Sequence, residues 1–457
     1  MNITTRAVVF GLLAFFLFAA SPLAGQQPLP LGTGAGGGLG AMTEARLSEA
    51  ASWNPALAAI FDGPMTSISL LGVHIEPGSA KLAYDLTRMG WRLIGSPVSV
   101  IGDRERTLLR DWRSGDGMSR LRAGATVHWI GLHSRDLLIS LASYASLDLN
   151  APDPVLSAMI GESATAIDAT AIRESRRSIV SVLSVAKGSD LGLLPYLGRT
   201  WVGATFKAGY VHDHAIGRFG YIDPSLVAFD DNGEPLDPAV SFRDDETAGF
   251  YSEVGVQGAR IYGVDVGAVI NPAPPILVSV TLANALQKAS FDVAAEDLYG
   301  RTIAVAGEDE QGRGRAFTDR FLLDTTAEEK PWLSDAETLA RSTHFTPLLR
   351  VGASIDTRSG RLIGGLSVPL EREHSLDRTS LDEYSFGWQS TSHRLQPRLV
   401  YTRQLDGSSG VLASIQRGFC SARLALGAGY MRRPHQGHTV NLTVSWSHGS
   451  GPCGRFR

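Results

Sequence analysis

The chain has 457 residues, of which 50 are Gly; charged residues make up 19% and the formal net charge is −4. So small a net charge gives no case for a nucleic-acid partner. Abundant Gly with few charges argues against a helical protein and suits closely approaching strands with tight turns. A chain this long holds two or three ordinary domains, or one large closed barrel.

Arg6 precedes an unbroken apolar run over 7–20, followed by Ser-Pro-Leu-Ala-Gly. A charged start, an apolar run and a small-residue exit read as a secretory signal peptide, assigned to residues 1–25. The run is too short to span a bilayer as a helix. Residues 26–65 form a second unit. Its first part is rich in Gly and Pro, and Asn54-Pro55-Ala56 lies in its second part.

From 66 onward the pattern is all-β. Strands are expected at 66–75 and 80–94, then a polar interval over 102–119. Leu121, Ala123, Ala125, Val127 and Trp129 alternate with Arg120, Arg122, Thr126 and His128, and a second run covers 137–147. A period of two puts successive side chains on opposite faces of a sheet. Residues 152–177 break the alternation. Leu156, Met159, Ala164, Ile167 and Ala171 recur at helical spacing, so an inserted helix is expected there.

Strands resume at 179–186 and 200–212, and 213–246 reads as a long polar loop. A hairpin follows: 249–270, the turn Asn271-Pro-Ala-Pro-Pro275, and an apolar run ending at Asn284. Residues 301–343 read as the longest irregular stretch. Alternation returns at 345–355 and 362–370, and near 382–390.

The clearest pattern lies at 395–447. Leu395, Pro397, Leu399 and Tyr401 fall in one column, Gln396, Arg398 and Thr402 in the other. Similar columns recur through Leu424–Tyr430 and through Val440, Leu442, Val444 and Trp446. These runs are about ten residues long, the length of a tilted transmembrane strand. The sum is a single antiparallel transmembrane barrel of about 14 strands over 66–457. Short turns fall at one end, and the loops 213–246 and 301–343 with the helical insert fall at the other, the asymmetry of outer-membrane barrels.

The signal peptide, the Gly-rich opening, Asn54-Pro55-Ala56 and the hairpin around Asn271–Asn284 resemble FadL-like outer-membrane barrels. That superfamily includes fatty-acid transporters, PorV-like secretion barrels and TraF-like barrels. The resemblance implies that the segment around Asn54–Ala56 lies in the lumen as a plug. It also implies a bacterial outer-membrane location, with outer-membrane lipid and the barrel-assembly machinery as partners.

No catalytic constellation, phosphate loop or nucleophile elbow is present, so no enzyme activity and no cofactor are expected. His212-Asp-His214 and His435-Gln-Gly-His438 lack a third ligand at sensible spacing, and no metal is assigned to them. The acidic clusters at 230–231, 244–246 and 308–310 read as solvated loop charge. The 2 Cys are Cys420 and Cys453. A last hairpin turning near 433–437 places Cys420 opposite a position close to Cys453, so a disulfide is expected. The expected function is a channel or transporter for small hydrophobic molecules. A secretion or surface-assembly barrel and a soluble secreted β-protein stand as alternatives.

Overall fold

A computed structural model describes residues 54–60, 67–75, 84–86, 88–89, 98–113, 118–134, 136–160, 174–222, 248–290, 298–308, 314–319, 338, 345, 347–370, 383–390, 395–404, 409–419, 422–433 and 437–449. The expected signal peptide, Cys420, Cys453, His435 and the acidic clusters at 230–231 and 244–246 lie outside these residues.

In chain order the strands are β1 (Ser67–Ile75), β2 (Val98–Ile101), β3 (Met118–Ser134), β4 (Leu137–Pro152), β5 (Glu174–Leu194) and β6 (Gly198–Ile222). Then come β7 (Ala248–Val256), β8 (Ala259–Ala273), β9 (Ile276–Ser290), β10 (Leu298–Glu308), β11 (Gly314–Asp319) and β12 (Leu348–Thr357). The last six are β13 (Gly360–Pro369), β14 (Glu383–Gln389), β15 (Leu395–Gln404), β16 (Ser409–Phe419), β17 (Ala422–Arg433) and β18 (Gly437–Gly449). Two helices, α1 (Asp103–Trp112) and α2 (Asp153–Met159), and a 3-10 turn at Pro55–Ala59 complete the described elements.

The pairings close a ring. Antiparallel partners run β1–β3–β4–β5–β6–β8–β9–β12, then in order through β18, and β18 returns to β1 with Ser67 opposite Gly449. Of the 18 strands in the sheet, four (β7, β10, β11 and β2) stand outside this ring, which leaves the expected 14. A closed ring has no unpaired edge, the condition for strands to cross a membrane.

The four extra strands continue β6 beyond the ring. Arg199–Val211 of β6 pairs with β8, whereas His214–Ile222 pairs with β7. β7 and β8 are the expected 249–270 strand broken at Gly258. Its φ of 79° lies in the left-handed region, and its N–H donates to Val211 O at 2.9 Å. β10 pairs with β7, β11 with β10, and β2 with β11.

Leu109 and Trp112 of α1 and Val155 and Leu156 of α2 are buried in one cluster with Leu121 and Phe219. Arg177 of β5 lies 2.9 Å from Asp213 of β6 and 3.3 Å from Glu253 of β7, which also accepts from Tyr251.

Several sequence expectations change at this end. Residues 84–86 and 88–89 are helical within the expected strand 80–94, because Leu86 and Met89, at helical spacing, pack on the α1–α2 cluster. The polar interval 102–119 holds α1, where the Glu105 carboxylate accepts from the Gly102 N–H at 3.1 Å and caps the first turn. The helix expected over 152–177 spans only Asp153–Met159 among the described residues, and β5 already begins at Glu174. The loops at 213–246 and 301–343 lose residues to β6, β10 and β11, which pair with β7 and with each other.

The end asymmetry holds. At one end Ser134/Leu137, Leu194/Gly198, Ala273/Ile276, Thr357/Gly360, Gln389/Leu395 and Phe419/Ala422 bound short turns, and β1 begins and β18 ends there. The strand ends that bound the long connections, and both helices, lie at the other end.

Leu183, Phe206, Leu286, Phe386, Leu399 and Leu426 are exposed on strands spread around the ring. So broad an apolar belt is unsuited to water and matches the lipid-facing band of a membrane barrel. It removes the soluble secreted alternative. No helix among the described residues is long and apolar enough to cross a membrane.

Candidate functional site

The inward columns of β5, β6 and β8 carry three layers. The first contains Asn54-Pro55-Ala56. Asn54 is extended, the conformation a following Pro favours, and Pro55 opens the 3-10 turn with its φ already set. The Asn54 carboxamide oxygen accepts from the Ala56 N–H at 3.0 Å. Its nitrogen donates to Ala268 O at 3.0 Å on β8 and to Val280 O at 3.3 Å on β9. His133 Nε2 of β3 lies 3.4 Å from Ala58 O.

Three glycines make room for this turn. A Cβ on Gly267 would lie 2.2 Å from Asn54 Oδ1, one on Gly203 2.4 Å from the Pro55 carbonyl carbon, and one on Gly188 2.5 Å from Ala59 N. Real Cβ contacts are not this short, so the wall and the turn fit only because these positions lack side chains. Leu57 packs with Trp201 and Val269 beside this seat.

The second layer is charged. Lys207 Nζ lies 2.7 Å from Asp265 Oδ2, with both side chains almost wholly buried. Lys207 also donates to Asn284 Oδ1 at 3.1 Å, and the Asn284 N–H donates to Asp265 Oδ1 at 2.7 Å. Asn284 has a φ of 55°, where Asn is among the residues best tolerated. The ladder between β8 and β9 shifts register opposite it. This Asn ends the apolar run noted in the sequence. Lys207 and Asp265 were missed there, although each is an isolated charge inside an otherwise apolar or Gly-rich strand, in Thr-Phe-Lys-Ala-Gly and Gly-Val-Asp-Val-Gly.

The third layer is apolar. Phe345, just ahead of β12, is fully buried among Val180, Val182, Val211, Ile261 and Ala142. Two glycines floor its ring: a Cβ on Gly209 would lie 2.8 Å from Phe345 Cζ, and one on Gly263 3.1 Å from Cδ2. From Gly203 to Gly209 the layers span about 20 Å of strand.

Elsewhere in the lumen, Arg350, Ser354, Ser367, Gln396 and Arg398 are buried polar side chains. Gln396 and Arg398 form the column opposite Leu399 and Tyr401, as the sequence pattern assigns them. His212 and His214 do not converge: His212 meets Ser181 at 2.8 Å and His214 meets Ser178 at 2.7 Å. No group of three metal-ligating side chains occurs among the described residues.

No family model and no curated protein sequence matches the chain. Among solved structures, it is similar to a Pseudomonas aeruginosa FadL homologue at 8% identity, covering 90% of this chain and 95% of that one with a TM-score of 0.44. The CymD monoaromatic hydrocarbon channel aligns at 11% identity, over 89% of this chain and 93% of that one, with a TM-score of 0.45. The Pseudomonas putida toluene transporter TodX aligns at 11% identity, over 86% and 92%, with a TM-score of 0.41. These likenesses follow the course of the chain along nearly its whole length and involve few of its residues.

Proposed function

We propose that this chain is an outer-membrane channel for small hydrophobic molecules, closed in the state described by its own amino-terminal turn. The observation that carries the reading is the apolar lining around Phe345, on the inner wall of a ring whose outer wall is also apolar. A pore for ions or sugars would line that level with water-holding groups. The end with short turns faces the periplasm, and the α1–α2 end faces outward, as the loop asymmetry of such barrels favours.

Asn54, Pro55 and Ala56 act as the plug. Two backbone acceptors hold Asn54 and glycines receive the turn, so the seat is specific and rests on few contacts. Residues 1–25 are the export signal, 26–65 the plug-bearing segment and 66–457 the barrel, inserted by the barrel-assembly machinery.

The test is uptake of labelled toluene by cells with an intact outer membrane, with and without the protein. Faster uptake in cells carrying it is expected. Equal uptake would overturn the channel reading and leave the secretion or surface-assembly barrel in its place.

A further inference from the structure

We infer that the channel holds a polar subsite between its plug and the Lys207–Asp265 pair, and that this subsite takes the neutral hydroxyl head of a medium-chain alcohol. The inference rests on the hydrophobic-channel reading and specifies the passenger for it. Away from the plug, the inward column of β6 runs Gly203, Thr205, Lys207 and Gly209. Thr205 thus occupies the level between the plug seat and the charged layer. Neighbouring strands add hydroxyls there: Ser140 stands opposite Ser184, Ser184 opposite Lys207, and Thr205 opposite Asp265. Thr281 stands opposite Gly267, the glycine that receives Asn54.

Ser140, Ser184, Thr205 and Thr281 are almost wholly buried, and none of their hydroxyl oxygens finds a hydrogen-bond partner among the described residues. A buried hydroxyl left unsatisfied costs about 1–3 kcal/mol, so four around one level point to a polar guest. A hydroxyl both donates and accepts, and a guest that does the same satisfies it. An alcohol does so, whereas a hydrocarbon does neither and a carboxylate only accepts. Charge at this level is already matched. Lys207 Nζ holds Asp265 Oδ2 at 2.7 Å, and Arg350, opposite Thr281, has interactions of its own. An ionic head would therefore enter with no counter-charge waiting for it, at a high desolvation cost.

The tail has a place as well. Beyond Lys207, Ala142, Val182, Val211, Ile261 and Phe345 are buried in one cluster with Tyr144. From Thr205 to Gly209 the wall rises about 13 Å along the strand, close to the length of an extended eight-carbon alcohol. With its ammonium fixed on Asp265, Lys207 offers its methylene stem to such a tail, so the chain passes without displacing the pair. The hydroxyl then meets the polar groups and the chain covers the apolar ones, an orientation set by a few placed polar contacts.

The experiment uses the full chain in lipid nanodiscs and follows thermal unfolding with added 1-octanol, octanoate or n-octane. Wild type is compared with the double variant Ser184→Ala/Thr205→Val, which removes two hydroxyls at nearly constant volume. A ligand that binds the folded state alone raises Tm with its occupancy. 1-Octanol should raise Tm of wild type more than that of the variant, whose apparent affinity should be about tenfold lower. Octanoate and n-octane should shift the two proteins alike. An equal 1-octanol shift in both would overturn the subsite, since partitioning into the lipid alone explains it. A larger difference between the proteins with octanoate than with 1-octanol would overturn the neutral head. Should the double variant fail to insert, Ser140→Ala against wild type gives the same decision. Toluene uptake by cells is a separate measurement: its failure sinks the channel reading and leaves a measured 1-octanol difference standing.

Discussion

Lys207 Nζ sits 2.7 Å from Asp265 Oδ2, joining the inward columns of β6 and β8 between the plug and Phe345. Taking both charges out of water is costly, and the Asn284 carboxamide and backbone share the load of solvating them. Asp265→Asn leaves Lys207 buried without its counter-charge. It should cost about 3–5 kcal/mol, and Lys207→Met with Asp265→Leu should recover most of that loss. Urea unfolding of the reconstituted barrel reads this out. A single variant that unfolds at the wild-type midpoint would show the pair to be solvated in the folded state.

The plug seat can be loosened from either side. Asn54→Ala removes the two bonds to Ala268 O and Val280 O, each worth about 1 kcal/mol. Gly267→Ala places a Cβ where Asn54 Oδ1 now lies. Both should raise single-channel conductance, and the double variant should gain little over either alone, because one event is shared. Unchanged conductance in both would reduce the segment to a tether.

The outward column is defined by exposure, so charge there meets lipid. Leu399 is 52% exposed and lies between the buried Arg398 and Val400. Leu399→Arg should cost about 2–4 kcal/mol at mid-bilayer depth, whereas Leu399→Phe should be close to neutral. Reversible unfolding from lipid vesicles compares them. Equal stability of the two variants would place β15 outside the hydrocarbon layer.

Ala422 opens β17 and pairs with His448 near the end of β18. Cys420 precedes the one and Cys453 follows the other by a few residues of chain. A bridge between them, closing a loop of roughly thirty residues, should contribute about 3–4 kcal/mol in the chain-entropy model. Thiol labelling of denatured, unreduced protein should find no free thiol. Two free thiols per chain would end this proposal.

The last hairpin was legible to the residue. Its turn near 433–437 is where Arg433 pairs with Gly437, and the Leu395–Tyr401 column faces outward as its pattern indicates. Both rest on a period of two sustained over one strand, and such a signal is local. The extension was not legible. β2 and β11 are short, and they pair with each other across a long stretch of sequence, as with Phe317 and Val98. The helix α1 hid behind its charges, since only Leu108, Leu109 and Trp112 mark its apolar face.

By itself the sequence determined the class of fold, a ring of about 14 strands and the end at which the short turns lie. Alternation, strand length and turn residues write these into each segment separately, so no partner need be known. Only the tertiary structure decided what fills the wall. Gly188, Gly203 and Gly267 read in sequence as ordinary strand glycines, and Gly209 and Gly263 likewise. They become two seats because closing the ring brings β5, β6 and β8 side by side and presses Asn54–Ala59 and Phe345 against them. The charged layer has the same origin. Lys207 and Asp265 are 58 positions apart in the numbering of the chain, and only the register between β6 and β8 places their side chains on one inward face, where each makes the other's burial tolerable.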